Sequence, residues 1–211
     1  KKIQNRDQLT GLDTLEAFKS MYTNMISELP KDKVKALCYF DINNFGYINE
    51  NYGHQVGDQV LKFLAQDIAD QDYYVMASRL YSDFFLMLAI GNSREELQKS
   101  IIVQQKKFTN MQNHQYPSSG LSISAGLYFI ESDKVEVETA IENANLAWKT
   151  SKRSVKVELA VFDDRLRERR VEEQQVIAEF YEALYRSDFE VFLQPKFDLT
   201  TREVYGAEAL S

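Results

Sequence analysis

Apolar positions recur at helical spacing first at Leu15, Phe18, Tyr22, Met25 and Leu29, and Pro30 closes the run, which predicts a helix ending there. Residues 34–40 are then short and mostly apolar and end at Asp41, the pattern of a buried strand. Val56, Val60, Leu64 and Ile68 mark a second amphipathic helix. Residues 73–80 and 83–90 read as two strands parted only by Tyr81-Ser82, a tight hairpin. Leu97, Ile101 and Phe108 predict a third helix, with a polar loop over residues 110–119. Residues 121–130 form a strand pattern, Val137, Ala140, Ile141, Ala144 and Trp148 line one helix face, and residues 157–162 read as a last short strand. Strands and helices mixed in this order predict one layered α/β sheet.

The character changes after Asp163. Residues 163–186 are densely charged and helical, with an apolar stripe only in the second half, at Val176, Ile177, Phe180 and Leu184. This predicts a connecting helix, solvated near its start and docked near its end. Residues 189–197 and 203–210 form a second hairpin-like pair around Asp198-Leu-Thr-Thr-Arg202. Two strands are rarely stable alone, so they are expected to lean on something else or to open a truncated domain. The expected organisation is a domain at 1–162, a connecting helix at 163–187 and a fragment at 188–211.

Composition narrows the functional classes. The chain of 211 residues carries a net charge of -7, and such a surface repels nucleic acid and anionic membrane alike. No nucleic-acid partner is expected. Cys38 is the only cysteine, which rules out an internal disulfide and a Cys-rich metal site. Within its apolar run it reads as a small buried hydrophobe. No apolar run reaches the roughly 18 residues of a membrane helix, and no signal-peptide pattern opens the chain. A cytoplasmic location is expected, with any membrane anchor lying upstream. Lys1-Lys2-Ile3-Gln4 carries no start signal, so the chain reads as a piece of a longer protein.

The richest stretch for chemistry is Asp41-Ile-Asn-Asn-Phe-Gly-Tyr-Ile-Asn-Glu-Asn-Tyr-Gly-His-Gln-Val-Gly-Asp58. A carboxylate at the carboxyl end of a buried strand lies where α/β sheets place ligands. Mg²⁺ takes hard oxygen ligands, so Asp41 and Asp83 suit a metal if their strands are neighbours. Equally, Asp41 can cap the next helix and Asp83 can serve as a turn acid. Asn49 and Asp58 form a second pair: a carboxylate accepts from guanine N1–H and its exocyclic amine, and an amide serves the remaining base edge. Both are also ordinary cap or turn residues, and Gly53 and Gly57 fit either reading.

Three motifs in order over about residues 5–162 resemble the GGDEF domain family. Asp7-Gln-Leu-Thr-Gly-Leu12 is similar to its D-x-L-T-G-L entry motif. Asp41-Ile-Asn-Asn-Phe, through Asn49-Glu-Asn-Tyr-Gly-His54, to Gly57-Asp58 is similar to its D-x-D-x-F-K…N-D-x-x-G-H-x-x-G-D run. Ala144-Asn-Leu-Ala-Trp-Lys-Thr-Ser-Lys152 resembles its later A-D-x-A-L-Y-x-A-K helix. The resemblance implies an α/β (α+β) fold like the nucleotide-cyclase palm, with a mostly antiparallel central sheet flanked by helices. It implies condensation of two GTP into cyclic di-GMP in active members. Carried over by position, Asp41, Asp83 and the Ile42 carbonyl hold Mg²⁺, Asn49 and Asp58 hold guanine, and Lys152 with Lys156 meets the phosphates.

Several positions depart from the pattern. Gly46 replaces a lysine, Asn43 an aspartate and Glu50 an aspartate, while the signature itself reads Tyr81-Ser82-Asp83-Phe84-Phe85. Two-residue hairpin turns favour positive φ, which glycine accepts and tyrosine resists. A misplacement of about 1 Å costs on the order of 100-fold in rate, so cyclase activity is not expected. The R-x-x-D product-inhibition motif falls on Asp72-Tyr-Tyr-Val75 and is absent. At the other end, Phe192-Leu-Gln-Pro-Lys196 and Tyr205-Gly-Ala-Glu-Ala-Leu210 resemble the opening of EAL domains, cyclic di-GMP phosphodiesterases. There Gln194 matches a dinucleotide contact and Glu208 the first metal ligand. The expected function is a regulatory, inactive GGDEF domain that senses GTP and controls an adjoining EAL phosphodiesterase, with a sensory domain upstream. A weakly active cyclase and a nucleotide-free homodimerising or interaction module stand as alternatives.

Overall fold

The computed structural model describes residues 5–153 and 159–210, in two units that divide between Asp163 and Asp164. In the first unit the elements run α1 (Leu15–Glu28), β1 (Val34–Asn43), α2 (Phe45–Tyr52), α3 (His54–Ala69), β2 (Tyr74–Tyr81), β3 (Phe84–Gly91), α4 (Arg94–Gln115), β4 (Ser122–Phe129), α5 (Val137–Arg153) and β5 (Leu159–Val161). The five strands form one sheet in the order β2-β3-β1-β4-β5, antiparallel except where β4 pairs with β5. This is the mixed α/β palm-like architecture, a mostly antiparallel sheet flanked by helices.

Side chains alternate across a strand, so one register decides which core each residue joins. Along β1, Ala36, Cys38, Phe40 and Ile42 enter the core shared with Val60, Leu64 and Ile68 of α3 and with Leu97, Ile101 and Phe108 of α4. Leu37 and Tyr39 enter the opposite core, with Phe18, Tyr22 and Ile26 of α1 and Ala140 and Ala144 of α5. Asp41 and Asn43 continue that second series and so face α5. Burial pushes the Cys38 thiol up to about 12, as befits a cysteine acting as a small hydrophobe.

Gly126 sets how closely α5 can approach. A methyl group there would stand 2.0 Å from the backbone nitrogen of Trp148 and 2.1 Å from the carbonyl oxygen of Ala144. Glycine at this strand position therefore lets helix backbone lie directly on β4. The consequence is positional: it fixes where Trp148 and Lys152 reach the sheet.

Some elements differ from the sequence expectation. The stretch between Asp41 and Gly53 contains a helix, α2, entered through Asn44 in the left-handed region at φ 60 with its Nδ2 donating to the Gly120 carbonyl. Residues 110–115 belong to α4 and not to a loop, because the helix continues on a polar inward face that buries Gln104, Gln105 and Gln112. The hairpin turn is formed by Ser82 and Asp83, since Tyr81 pairs with Phe84 across the strands.

The second unit contains α6 (Asp164–Arg186), β6 (Phe192–Phe197) and β7 (Val204–Leu210). No residue of α6 is buried among the described residues. Phe180 and Phe189 stack edge to face at 5.2 Å, and β6 and β7 form an antiparallel pair. No helix among the described residues is long and apolar enough to cross a membrane.

Candidate functional site

The carboxyl end of β1 carries the candidate site. Asp41 lies between Phe84 of β3 and Ser124 of β4 in the sheet register, and Asn43 lies opposite Ser122. Two residues on, α2 begins, and the chain then runs into α3. Asp41, Asn43, Phe84, Trp148 and Lys152 thus meet on the α5 face of the sheet.

Asp41 is buried, and each of its carboxylate oxygens has a partner. Trp148 Nε1 donates to Oδ1 at 2.8 Å, and Lys152 Nζ donates to Oδ2. Trp148 and Lys152 are four residues apart on one helix, so they share a face and address the same carboxylate. The same ammonium donates to Asn43 Oδ1. Asn43 is oriented for this because its Nδ2 donates to Ser122 Oγ at 2.9 Å and to Ser124 Oγ at 2.8 Å.

The signature turn is filled with aromatic carbon. Phe84 packs against Trp148 at 5.3 Å and Tyr39 at 5.9 Å, while Tyr81 packs against Phe84 at 4.8 Å. Burial, then a hydrogen bond with Tyr81, raises the Tyr39 hydroxyl above its ordinary pKa. The left-handed φ of 48 falls on Ser82 and not on Tyr81, which remains in the strand and is 61% exposed. Arg79 compensates for the strained turn: its Nε and Nη2 donate to the Ser82 carbonyl at 2.8 and 2.7 Å. Phe85 points the other way and stacks on Phe40 in the first core.

Asp83 lies in the turn beside Ile42 and Asp41. Burial pushes its carboxyl above the ordinary carboxylate value and the Asp41 charge adds to this, while the Ser82 hydroxyl and the backbone at Asp83 and Ile42 act in the opposite direction. Asp83 and Asp41 are therefore neighbours, with the Ile42 backbone next to them. They do not form a ready metal centre. Asp41 is already neutralised by Lys152, Asn43 contributes an amide, Phe84 contributes no donor, and the described residues contain no cluster of three or more His, Cys, Asp or Glu able to hold a metal. A hydrated Mg²⁺ does not fit this arrangement without first displacing the ammonium.

Asn49 on α2 lies beside Gly57 on α3, the residue before Asp58. A methyl group at Gly57 would stand 2.1 Å from Asn49 Oδ1, so the amide lies against the glycine that precedes Asp58. Asn49 is half-buried and Asp58 exposed, which leaves the carboxylate accessible to a ligand. Lys156 lies outside the described residues. In the second unit, Gln194 and Glu208 stand opposite each other across the β6–β7 pair, and Lys196 bridges to Glu208 at 3.1 Å. In the first unit, a cleft of about 500 Å³ lined by Lys33, Tyr73, Asn92, Lys99 and Lys107 lies at the other end of the sheet from Asp41 and Asn43.

The sequence pattern puts Trp148 in the helix core and does not show it as the donor to Asp41. Its four-residue spacing from Lys152 was the available signal. Asn43 reads in the sequence as a lost carboxylate, whereas the fold uses it as a ligand for an ammonium.

The family described as diguanylate cyclase, GGDEF domain, matches residues 4–157. A cyclic di-GMP phosphodiesterase of Pseudomonas aeruginosa, NbdA, is 28% identical over 216 residues, covering 100% of this chain and 27% of that protein. The chain spans little more than a quarter of the length of the curated relatives it matches, 28% and 27% for two of them. Among solved structures, the GGDEF domain of DgcB from Caulobacter crescentus, in complex with c-di-GMP, superposes with a TM-score of 0.63 at 20% identity, covering 76% of this chain and 97% of that one. The S helix-GGDEF-EAL structure of Vibrio cholerae LapD, bound to c-di-GMP, covers 97% of this chain and 48% of its own, with a TM-score of 0.59 at 12% identity. At these identities the solved structures establish the fold alone. The family match covers most of the chain, and this protein belongs to the diguanylate cyclase GGDEF domain family.

Proposed function

We propose that the first unit is a regulatory, catalytically inactive GGDEF domain of a cyclic di-GMP signalling protein, that it senses GTP, and that it controls an adjoining EAL phosphodiesterase. The observation that carries the reading is the cross-strand pair of Asp41 with Phe84, closed over by Trp148 and Lys152. Phosphoryl transfer depends on positioning and charge neutralisation around the phosphates. Here the place beside Asp41 holds an aromatic ring, and the carboxylate is spent on protein donors.

The guanine side supports the sensing part of the reading. Asn49 and Asp58 retain a hydrogen-bonding pair of the right chemistry for guanine, and a site built to pair those groups rejects a base that leaves them unpaired. The opening strands of the second unit, with Gln194 and Glu208 opposed, and the relatives that are phosphodiesterases support the EAL assignment. GTP bound to the first unit acts by changing the populations of the connecting helix and the phosphodiesterase beyond it.

A chromatographic assay of concentrated protein with GTP tests the inactive part, and formation of cyclic di-GMP sinks it. Phosphodiesterase rates of the full-length protein test the sensing part. GTP should change them, and Asn49→Ala and Asp58→Ala should remove the response. Unchanged regulation in both variants favours the nucleotide-free interaction module.

A further inference from the structure

We propose that the Lys152 ammonium is a built-in counter-cation that takes the place of a divalent metal at Asp41, so that the domain holds its nucleotide without a metal ion. The nucleotide half rests on the GTP-sensing reading above. The metal half stands on the geometry alone.

Four observations converge. Both oxygens of the Asp41 carboxylate are taken, one by Trp148 Nε1 and the other by Lys152 Nζ. The second ligand of the ammonium, Asn43 Oδ1, is aimed at it by two serine hydroxyls on β4. An aspartate at residue 43 would add a negative charge there and favour a divalent ion, whereas an amide oxygen satisfies a monovalent one. Phe84 stands beside Asp41 in the register and brings no oxygen. Finally, α5 rests on Gly126 in backbone contact, so the ammonium is delivered by a helix that has little freedom to withdraw.

The competition follows from these constraints. Mg²⁺ gives up its water reluctantly and demands near-octahedral oxygen geometry. At this position it would have to displace a charge-assisted pair with a buried carboxylate and would gain only Asp83 as a further acid. An ammonium has three donors, and Asp41 and Asn43 occupy two of them. In this proposal the third is the one that meets a phosphate oxygen, so that one side chain neutralises Asp41 and contacts the ligand together.

Trp148 is the only tryptophan in the chain and it donates to Asp41, so its emission reports directly on this carboxylate. The probe is Mn²⁺, a paramagnetic quencher, added to the whole chain without nucleotide. The wild type should show no saturable quenching at millimolar Mn²⁺. Lys152→Met should gain saturable quenching, tighter than any wild-type response by on the order of tenfold or more, since a like charge next to the ion is removed. Adding Asp83→Asn to Lys152→Met should abolish the gain.

Saturable quenching of the wild type at micromolar Mn²⁺, reversed by Mg²⁺, overturns the proposal, and so does a folded Lys152→Met that gains nothing. Lys152→Gln serves if the Met variant does not fold by circular dichroism, and the wild-type titration decides by itself if neither does. GTP titrated in chelator and in excess Mg²⁺ should bind equally. Binding that needs Mg²⁺ overturns the metal-free claim. Absence of GTP binding in both removes the nucleotide half together with the sensing function, and the Mn²⁺ result still decides the metal half.

Discussion

The two halves of the candidate site have been treated differently by the sequence. Around Asp41 the polar groups are satisfied from within the protein, by Trp148, Lys152 and Asn43, and the space next to them is filled by Phe84 and Tyr81. Around Asn49 and Asp58 the carboxylate stays exposed, and Gly57 lets the Asn49 amide and the Phe45 ring lie against helix backbone. In the proposed reading the first end, which would align phosphates, is closed, and the second, which would recognise a base, is accessible. Loss of catalysis and loss of recognition are separable because different elements build them: β1, β3 and α5 in one case, α2 and α3 in the other.

The comparison can be broken most violently at Gly126. Gly126→Ala places a methyl group into the backbone of α5, which has no flexible end to yield, and should cost about 3 kcal/mol or more. Chemical denaturation measures the loss, and Trp148 emission should redden as the indole leaves Asp41. Asp41→Asn tests the closed end without a steric insult. It leaves Lys152 beside a neutral partner and should cost about 1–3 kcal/mol, discounted because Lys152 is partly exposed. A neutral result would show that the closure contributes nothing to folding.

Gly57→Ala probes the open end alone. Alanine suits a helix better than glycine, but its methyl group displaces the Asn49 side chain and presses on the buried Phe45 ring at 3.2 Å, so stability should fall by about 1 kcal/mol. GTP affinity should fall on the order of tenfold, about 1.4 kcal/mol, by calorimetry. The smallest effect concerns the turn's support, where Arg79 ties the Ser82 carbonyl to Asp7. Burial alone would raise the Asp7 carboxyl, but hydrogen bonds from Thr10 and the Arg79 guanidinium together hold it below its ordinary value of 3.8. A depressed carboxylate contributes stability that is complete above the unfolded value and is lost as pH falls through the folded one. Asp7→Asn should therefore be less stable by about 0.5 kcal/mol at neutral pH. The difference should close below about pH 3.8, as read from denaturation midpoints.

Most of the fold is legible in the sequence because its cores alternate cleanly. Val60, Leu64 and Ile68 repeat at helical spacing, and β1 alternates between two apolar faces, each of which becomes a core. The helix α2 is hidden because Gly46, Asn49 and Asn51 are poor helix formers and only Phe45 and Ile48 are buried. The last turns of α4 are hidden because their inward residues include Gln112, which an apolar periodicity cannot register. In the site, Asp41 and Lys152 are legible as motif positions, but their bond joins residues 111 apart. No local pattern encodes that contact. It follows from Gly126 and the strand register, and both need the assembled sheet to be seen.

The most direct test of a closed catalytic end beside a competent guanine end is calorimetric titration of the chain with GTP and with ATP under identical conditions. Saturable GTP binding and no saturable ATP binding are expected, with Asp58→Ala removing the GTP heat. Equal binding of the two nucleotides, or no binding of GTP, would contradict that expectation.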